Sequence, residues 1–167
     1  MITVSFKKTI VGYLLLLSFT LLANTANAIE VGDELQIDQL ETIDGQVLTR
    51  ESLKDKHLVI QVWATWCPYC HRQNLNLIEL AKQTKGMPLE IIALSIDKKP
   101  DVVPAYALKH NLNFPVAMMT PALNEAIGKR RGGPELYVVD PSGKVVQKEW
   151  GEMIDLDVFD LADYAKK

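Results

Sequence analysis

Two short, nearly unbroken apolar runs fix the outline of this chain. His57 to Ala64 holds Leu58-Val59-Ile60-Gln61-Val62, and Leu89 to Ile96 reads Leu-Glu-Ile-Ile-Ala-Leu-Ser-Ile. Runs of this length and composition predict strands buried on both faces. From Pro68 the period turns helical: Leu75, Leu77, Ile78, Leu80 and Ala81 predict a helix to about Lys85, halted by Gly86 and Pro88. Upstream, Leu35, Ile37, Leu40 and Ile43 lead through Asp44-Gly45 to Val47 and Leu48, which predicts a hairpin within 29–50, and Glu51 to Lys54 reads as a helical turn or loop.

Downstream the pattern gives a turn at 98–101, a short helix from Val102 to Lys109 ending at His110-Asn111, and a strand from Phe114 to Met119. Thr120 is a predicted N-cap and Pro121 a first-turn proline for a helix through Ile127, stopped by Gly128. A basic, glycine-rich loop, Lys129-Arg130-Arg131-Gly132-Gly133-Pro134, leads to a strand Glu135–Val139. After a turn at 140–143 its hairpin partner runs from Lys144 to Trp150, and Asp155 is the expected cap of a last helix to about Ala165. Buried strands joined by helices imply parallel pairs covered on both faces, with antiparallel strands added by the final hairpin. The expectation is one mixed α/β domain.

The N-terminus bears on location. Lys7 and Lys8 precede an apolar run from Ile10 to Ala23, and Ala26-Asn27-Ala28 supplies a small-x-small cleavage pattern. Residues 1–28 therefore read as a signal peptide and 29–167 as the mature domain, working in the periplasm. The run is about 14 residues, shorter than the roughly 20 of a spanning helix, so cleavage is preferred to a retained anchor. The net charge is −3, and −5 once Lys7 and Lys8 leave, which argues against a nucleic-acid partner. Apolar residues make up 48% of the sequence, enough for a real core.

Chemistry enters with Trp63-Ala64-Thr65-Trp66-Cys67-Pro68-Tyr69-Cys70-His71, which holds both cysteines of the chain, spaced Cys-x-x-Cys at a strand-to-helix junction. A loop that small restricts the unfolded chain little, so in an oxidising compartment the pair reads as a reagent rather than a brace. Cys67 at the helix start is the expected nucleophile, its thiolate favoured by the unpaired N–H groups there, and Cys70, one turn in, the more buried resolving thiol. The same letters spell a c-type haem attachment pattern, but the motif emerges from a buried strand between two tryptophans rather than from a haem pocket. A copper-binding dithiol using Cys67, Cys70 and His71 is the alternative from another class, and a disulfide oxidase or isomerase the alternative within redox chemistry. His57 and His110 fall at element ends, where capping or solvent exposure is expected, and Trp63 and Trp150 are expected to be packed.

The segment Val62 to Cys70 resembles the active-site segment of the thioredoxin superfamily, in particular its exported TlpA/ResA-like branch, which includes the reductases of cytochrome c maturation. The resemblance implies a thioredoxin-like fold: a central mixed sheet flanked by helices, with an N-terminal hairpin and a central αβ insertion. It implies a thiol:disulfide oxidoreductase, most readily a reductant, with no cofactor beyond the redox-active disulfide Cys67–Cys70 and no metal. Partners would be proteins with disulfides or thiols, with a membrane-bound thiol reductase as electron donor, and the chain would be a monomer. Apocytochrome, a copper-site cysteine pair, an oxidised partner thioredoxin and misbridged proteins all remain open as substrates.

The resemblance also assigns positions. Pro134 matches the family's cis-proline beside the dithiol, and Gly133 before it would pair with substrate backbone. Trp66 would belong to the docking surface, and Pro68 and Tyr69 between the cysteines would tune the potential. Relatives carry acids where this chain has Gln61, six residues before Cys67, and Gln73, three after Cys70. A glutamine amide keeps the hydrogen bonds but does not titrate. Gln61, Gln73, His71 and Glu135 are therefore the candidate proton-relay positions around Cys70. Lys129-Arg130-Arg131 reads either as a solvated turn or as a basic rim favouring acidic partners.

Overall fold

The computed structural model describes residues 28–166, so the leader predicted over 1–28 lies, but for Ala28, outside the described residues. The elements follow the apolar pattern closely. A hairpin of β1 (Gln39–Glu41) and β2 (Val47–Thr49) turns through Gly45 at φ 83° and forms its own small sheet. A single helical turn, α1 (Arg50–Leu53), follows, capped reciprocally by Thr49 and Ser52. Then come β3 (His57–Trp63), α2 (Pro68–Gln83), β4 (Leu89–Ser95), α3 (Val102–His110), β5 (Val116–Met118), α4 (Pro121–Ile127), β6 (Glu135–Val139) and β7 (Val145–Trp150). The chain closes with α5 (Asp155–Asp160), which tightens into a 3-10 turn over Leu161–Lys166.

The main sheet has the order β5-β4-β3-β6-β7, with β3, β4 and β5 parallel and β6 and β7 antiparallel to their neighbours. It is the mixed sheet expected from the alternation of buried runs and helices. Because side chains alternate across a strand, β3 feeds two cores. Val59 and Trp63 join Leu77 and Leu80 of α2 and Val158 and Leu161 on one face. Leu58, Ile60 and Val62 join Leu35, Leu40, Leu48 and Leu53, with Leu123 and Ile127 of α4, on the other.

Three boundaries depart from expectation. β5 begins at Val116 rather than Phe114, since Pro115 has no N–H to give a ladder and serves only as acceptor for Ala93 N. Asp155 is the first helical residue of α5 and Ile154 its cap position, because the Asp155 carboxylate is taken by Asn76 Nδ2 of α2 at 2.7 Å. The final helix also narrows after Asp160 instead of continuing as an α-helix to Ala165.

Candidate active site

The fully buried strand β3 delivers the chain to a loop, Ala64 to Trp66, and α2 starts at once behind it. Cys67 is the N-cap of α2, with extended backbone (φ −92°, ψ 111°), and its Sγ accepts the Cys70 N–H at 3.2 Å. Pro68 fills the first helical position, where a missing N–H costs nothing. The two sulfurs are bonded to each other. Cys67 is 7% exposed and Cys70 fully enclosed, so one sulfur of the pair is within reach of a partner and the other is not.

The loop ahead of Cys67 is held from a neighbouring strand. Asp97, just past β4, accepts Thr65 N–H at 2.9 Å and Thr65 Oγ–H at 2.7 Å, and Ser95 Oγ–H at 2.8 Å. This buried carboxylate was missed in the sequence, yet a signal existed. Ser95 pairs with Trp63 in parallel register, so the residue two beyond it faces Thr65.

On the far side of the dithiol the Gly133–Pro134 peptide bond is cis, and Pro134 is buried at the start of β6. Gly133 lies so close that a Cβ there would stand 3.5 Å from Cys70 Sγ and 3.8 Å from Cys67 Sγ. A groove of about 690 Å³ runs over Cys67, walled by Trp66, Pro68 and Tyr69 on one side and by residues 128–133 on the other. Trp66 is 71% and Tyr69 54% exposed. The positions expected to meet substrate, Trp66, Pro68, Tyr69 and Gly133, thus lie together along one groove, with Pro134 directly behind Gly133.

The relay candidates separate into three places. Gln61 and Gln73, both fully buried, are hydrogen-bonded to each other: Gln73 Nε2 donates to Gln61 Oε1 at 2.9 Å. Gln61 Nε2 donates to Asn74 Oδ1 at 2.6 Å, and Met153 N–H donates to Gln73 Oε1 at 2.9 Å. The result is a chain of three side-chain amides under α2, joined Gln73 to Gln61 to Asn74 and anchored on the Met153 N–H. Asn74 Nδ2 alone lacks a partner.

His71 turns instead to the α3 side, where its Nδ1 lies 2.8 Å from Tyr106 Oη and its ring meets His110 edge-on at 4.6 Å. Burial pushes the Tyr106 phenol up, with the Asn74 amide beside it acting the other way. His110 is held below the ordinary histidine range by burial first, then by the charges of His71 and Lys109. His110 is thus half-buried against two rings rather than an exposed cap.

Glu135 is 3% exposed, and its carboxylate accepts Tyr137 Oη–H at 2.6 Å and Arg131 N–H at 2.8 Å. It shares this contact with Tyr137, which belongs to the core opposite the one containing Cys67 and Cys70. Burial, reinforced by the bond to Glu135, holds the Tyr137 phenol strongly protonated. Two further sequence expectations are corrected. Trp150 is 58% exposed rather than packed, its ring covered by the Arg131 guanidinium at 4.2 Å. His57 is buried, its ring 5.4 Å from that of Tyr164, because β3 starts beneath the terminal 3-10 turn. Among the described residues no group of three or more His, Cys, Asp or Glu is placed to hold a metal ion, and no helix is long and apolar enough to cross a membrane.

Comparison with known proteins finds related chains and a shared fold. The Redoxin family matches residues 30–166. A thiol-disulfide oxidoreductase ResA of Bacillus cereus is 30% identical over 125 residues, 74% of this chain and 71% of that protein. ResA of Bacillus subtilis (strain 168) is 25% identical over 127 residues, 76% of this chain and 71% of that protein. Among solved structures, a thiol:disulfide interchange protein of the thioredoxin family from Chlorobium tepidum TLS superposes with a TM-score of 0.72 at 24% identity, covering 84% of this chain and 99% of that one.

Proposed function

This chain belongs to the Redoxin family and is a thiol:disulfide oxidoreductase of thioredoxin-like fold, and from that premise we propose that it works outside the cytoplasm, in the periplasm, as a reductant of partner proteins. The observation that carries the mechanism is the asymmetry of the pair: Cys67 Sγ caps a helix at the edge of a groove while Cys70 is sealed behind it. In the reduced protein, the helix N-terminus and the Cys70 N–H favour negative charge on Cys67. Its thiolate attacks one sulfur of a partner disulfide, forming a mixed disulfide as the partner's other sulfur leaves as thiolate and takes up a proton. Cys70, deprotonated, attacks Cys67 Sγ and expels the partner's second sulfur. Two electrons have passed to the partner, and Cys67–Cys70 is oxidised.

The basic, apolar and small-x-small succession over residues 7–28 supports export with the leader removed, leaving residues 29–167. The resemblance to a branch containing cytochrome-maturation reductases supports the reducing direction, with electrons returned by a membrane-bound thiol reductase. In this reading the disulfide is the sole redox group and the protein acts as a monomer. Trp66, Pro68, Tyr69, Gly133 and Pro134 seat the partner chain. Gln61 and Gln73 hold the α2 side rather than move protons, so the proton that Cys70 gives up before it attacks passes to water or through His71.

Equilibration of Cys67–Cys70 with glutathione or dithiothreitol tests the direction. A potential near that of thioredoxin, about −270 mV, is expected, and one near −120 mV would make the protein an oxidant. Cys70→Ala should trap partners on Cys67 as mixed disulfides.

A further inference from the structure

The groove over Cys67 has an uneven distribution of charge. One wall is aromatic, Trp66 and Tyr69, and the other carries Lys129, Arg130 and Arg131, with no acidic residue lining it. The protein as a whole is acidic, at −3. None of these three cations enters an ion pair among the described residues. Two acids share a neighbouring cavity with Lys129 and Arg131: Glu30, which pairs with Lys148, and Glu135, which is buried under the loop and committed to Arg131 N–H and Tyr137 Oη–H. The Arg131 side chain rests on the Trp150 ring, and half-buried Arg130 has a guanidinium nitrogen, Nη1, with no acceptor. A solvated turn would leave its cations free in water; here Arg131 is pinned on an aromatic face and Arg130 is partly desolvated, and both residues line the groove that runs over Cys67.

We propose that this loop selects partner cysteines flanked by aspartate or glutamate. The partner segment lies along the groove with an apolar residue against Trp66 and Tyr69 and its carboxylate toward Lys129 and Arg130. The proposal rests on the oxidoreductase reading above and adds the class of sequence it acts on. Charges at the rim of a contact act mainly on the encounter rate, so the selection is kinetic and sensitive to salt.

The test uses the reduced protein and three peptides of common sequence, with Asp, Gln or Lys on both sides of one cysteine. Each cysteine is blocked as a mixed disulfide with 2-mercaptoethanol, a neutral leaving group. Cys67 attacks the peptide sulfur, mercaptoethanol leaves as thiolate, and Cys70 then releases the peptide thiol, so each turnover oxidises one protein dithiol and reduces one peptide disulfide. The expected order is Asp, then Gln, then Lys, with roughly tenfold between the extremes at low ionic strength. That ratio should approach one near 1 M salt, where the screening length is about 3 Å.

In Lys129→Gln/Arg130→Gln the Asp-to-Lys ratio should fall several-fold. Each ratio is taken within one protein, so any change in the reactivity of Cys67 cancels. Equal rates for the three peptides at low salt, or a ratio the double variant leaves intact, would overturn the selection while leaving the oxidoreductase reading standing. If no peptide were reduced, both would be overturned. The salt series on the unaltered protein decides the matter even if the double variant fails to fold.

Discussion

Gly133 illustrates how a single residue holds the site open. Its φ lies outside the left-handed region that favours glycine, and an added methyl would rest at ordinary contact distance from both sulfurs. Gly133→Ala is therefore expected to leave thermal stability within about 1 kcal/mol. It should slow exchange with protein disulfides by about tenfold, because the methyl occupies the space from which a partner sulfur must arrive. Stopped-flow mixing with a protein disulfide, beside a melting curve, checks both halves.

Gln73 makes a sharper case. Its amide donates to Gln61 and accepts from Met153, and a carboxylate can do only the second. In Gln73→Glu the folded state should prefer the protonated acid, which restores the donor, so its folded value rises above the ordinary glutamate range. The folded form then binds more protons than the unfolded one, and stability falls as pH rises through that interval. The deficit against the parent should be small at pH 4 and on the order of 3 kcal/mol at pH 8, read by urea unfolding. If the same substitution leaves the pH dependence of thiol reactivity unaltered, an acid was never a missing part of the resolving step. Both glutamines could be singled out through the family resemblance alone, as the positions, six before Cys67 and three after Cys70, where relatives carry acids. Asn74, which completes their chain, could not, since it reads as one more polar position on an amphipathic helix.

At the level of elements, the strands and helices were legible because each carries its own stop signals. Gly86 and Gly128 adopt positive φ at the helix ends, and Thr120 caps α4 through Leu123 N–H. What the pattern did not carry was competition for side chains between elements. Asp155 was lost as a cap to Asn76, and Glu135 was drawn from the dithiol toward Tyr137 by the alternation of β6. The β6–β7 hairpin offers a test at this scale. The Asp140 carboxylate is pushed up by burial but more strongly down by the Ser142 hydroxyl and the Lys144 and Ser142 N–H groups, and rests below the ordinary aspartate range. A depressed folded value gives stability that is present at neutral pH and lost as pH falls through it. Asp140→Asn should therefore be less stable than the parent at pH 7, with the gap narrowing below about pH 4 in urea titrations.

For the whole molecule, the segment before the first hairpin is part of the core rather than a tail. Ile29 is 4% exposed, its N–H donates to Ile127 O at the end of α4, and Lys148 Nζ reaches both Ile29 O and Glu30. A chain begun at Val31 should lose about 2–3 kcal/mol against one begun at Ile29, measured by the shift of the urea midpoint. The amide chain beneath α2 has a consequence for the molecule as an electrode. Reducing the disulfide takes up two electrons and, below the thiol titrations, two protons, so the potential should descend by about 59 mV per pH unit. Gln61, Gln73 and Asn74 hold no proton to exchange in that range, and the line should run without the bend a buried carboxyl in their place would introduce.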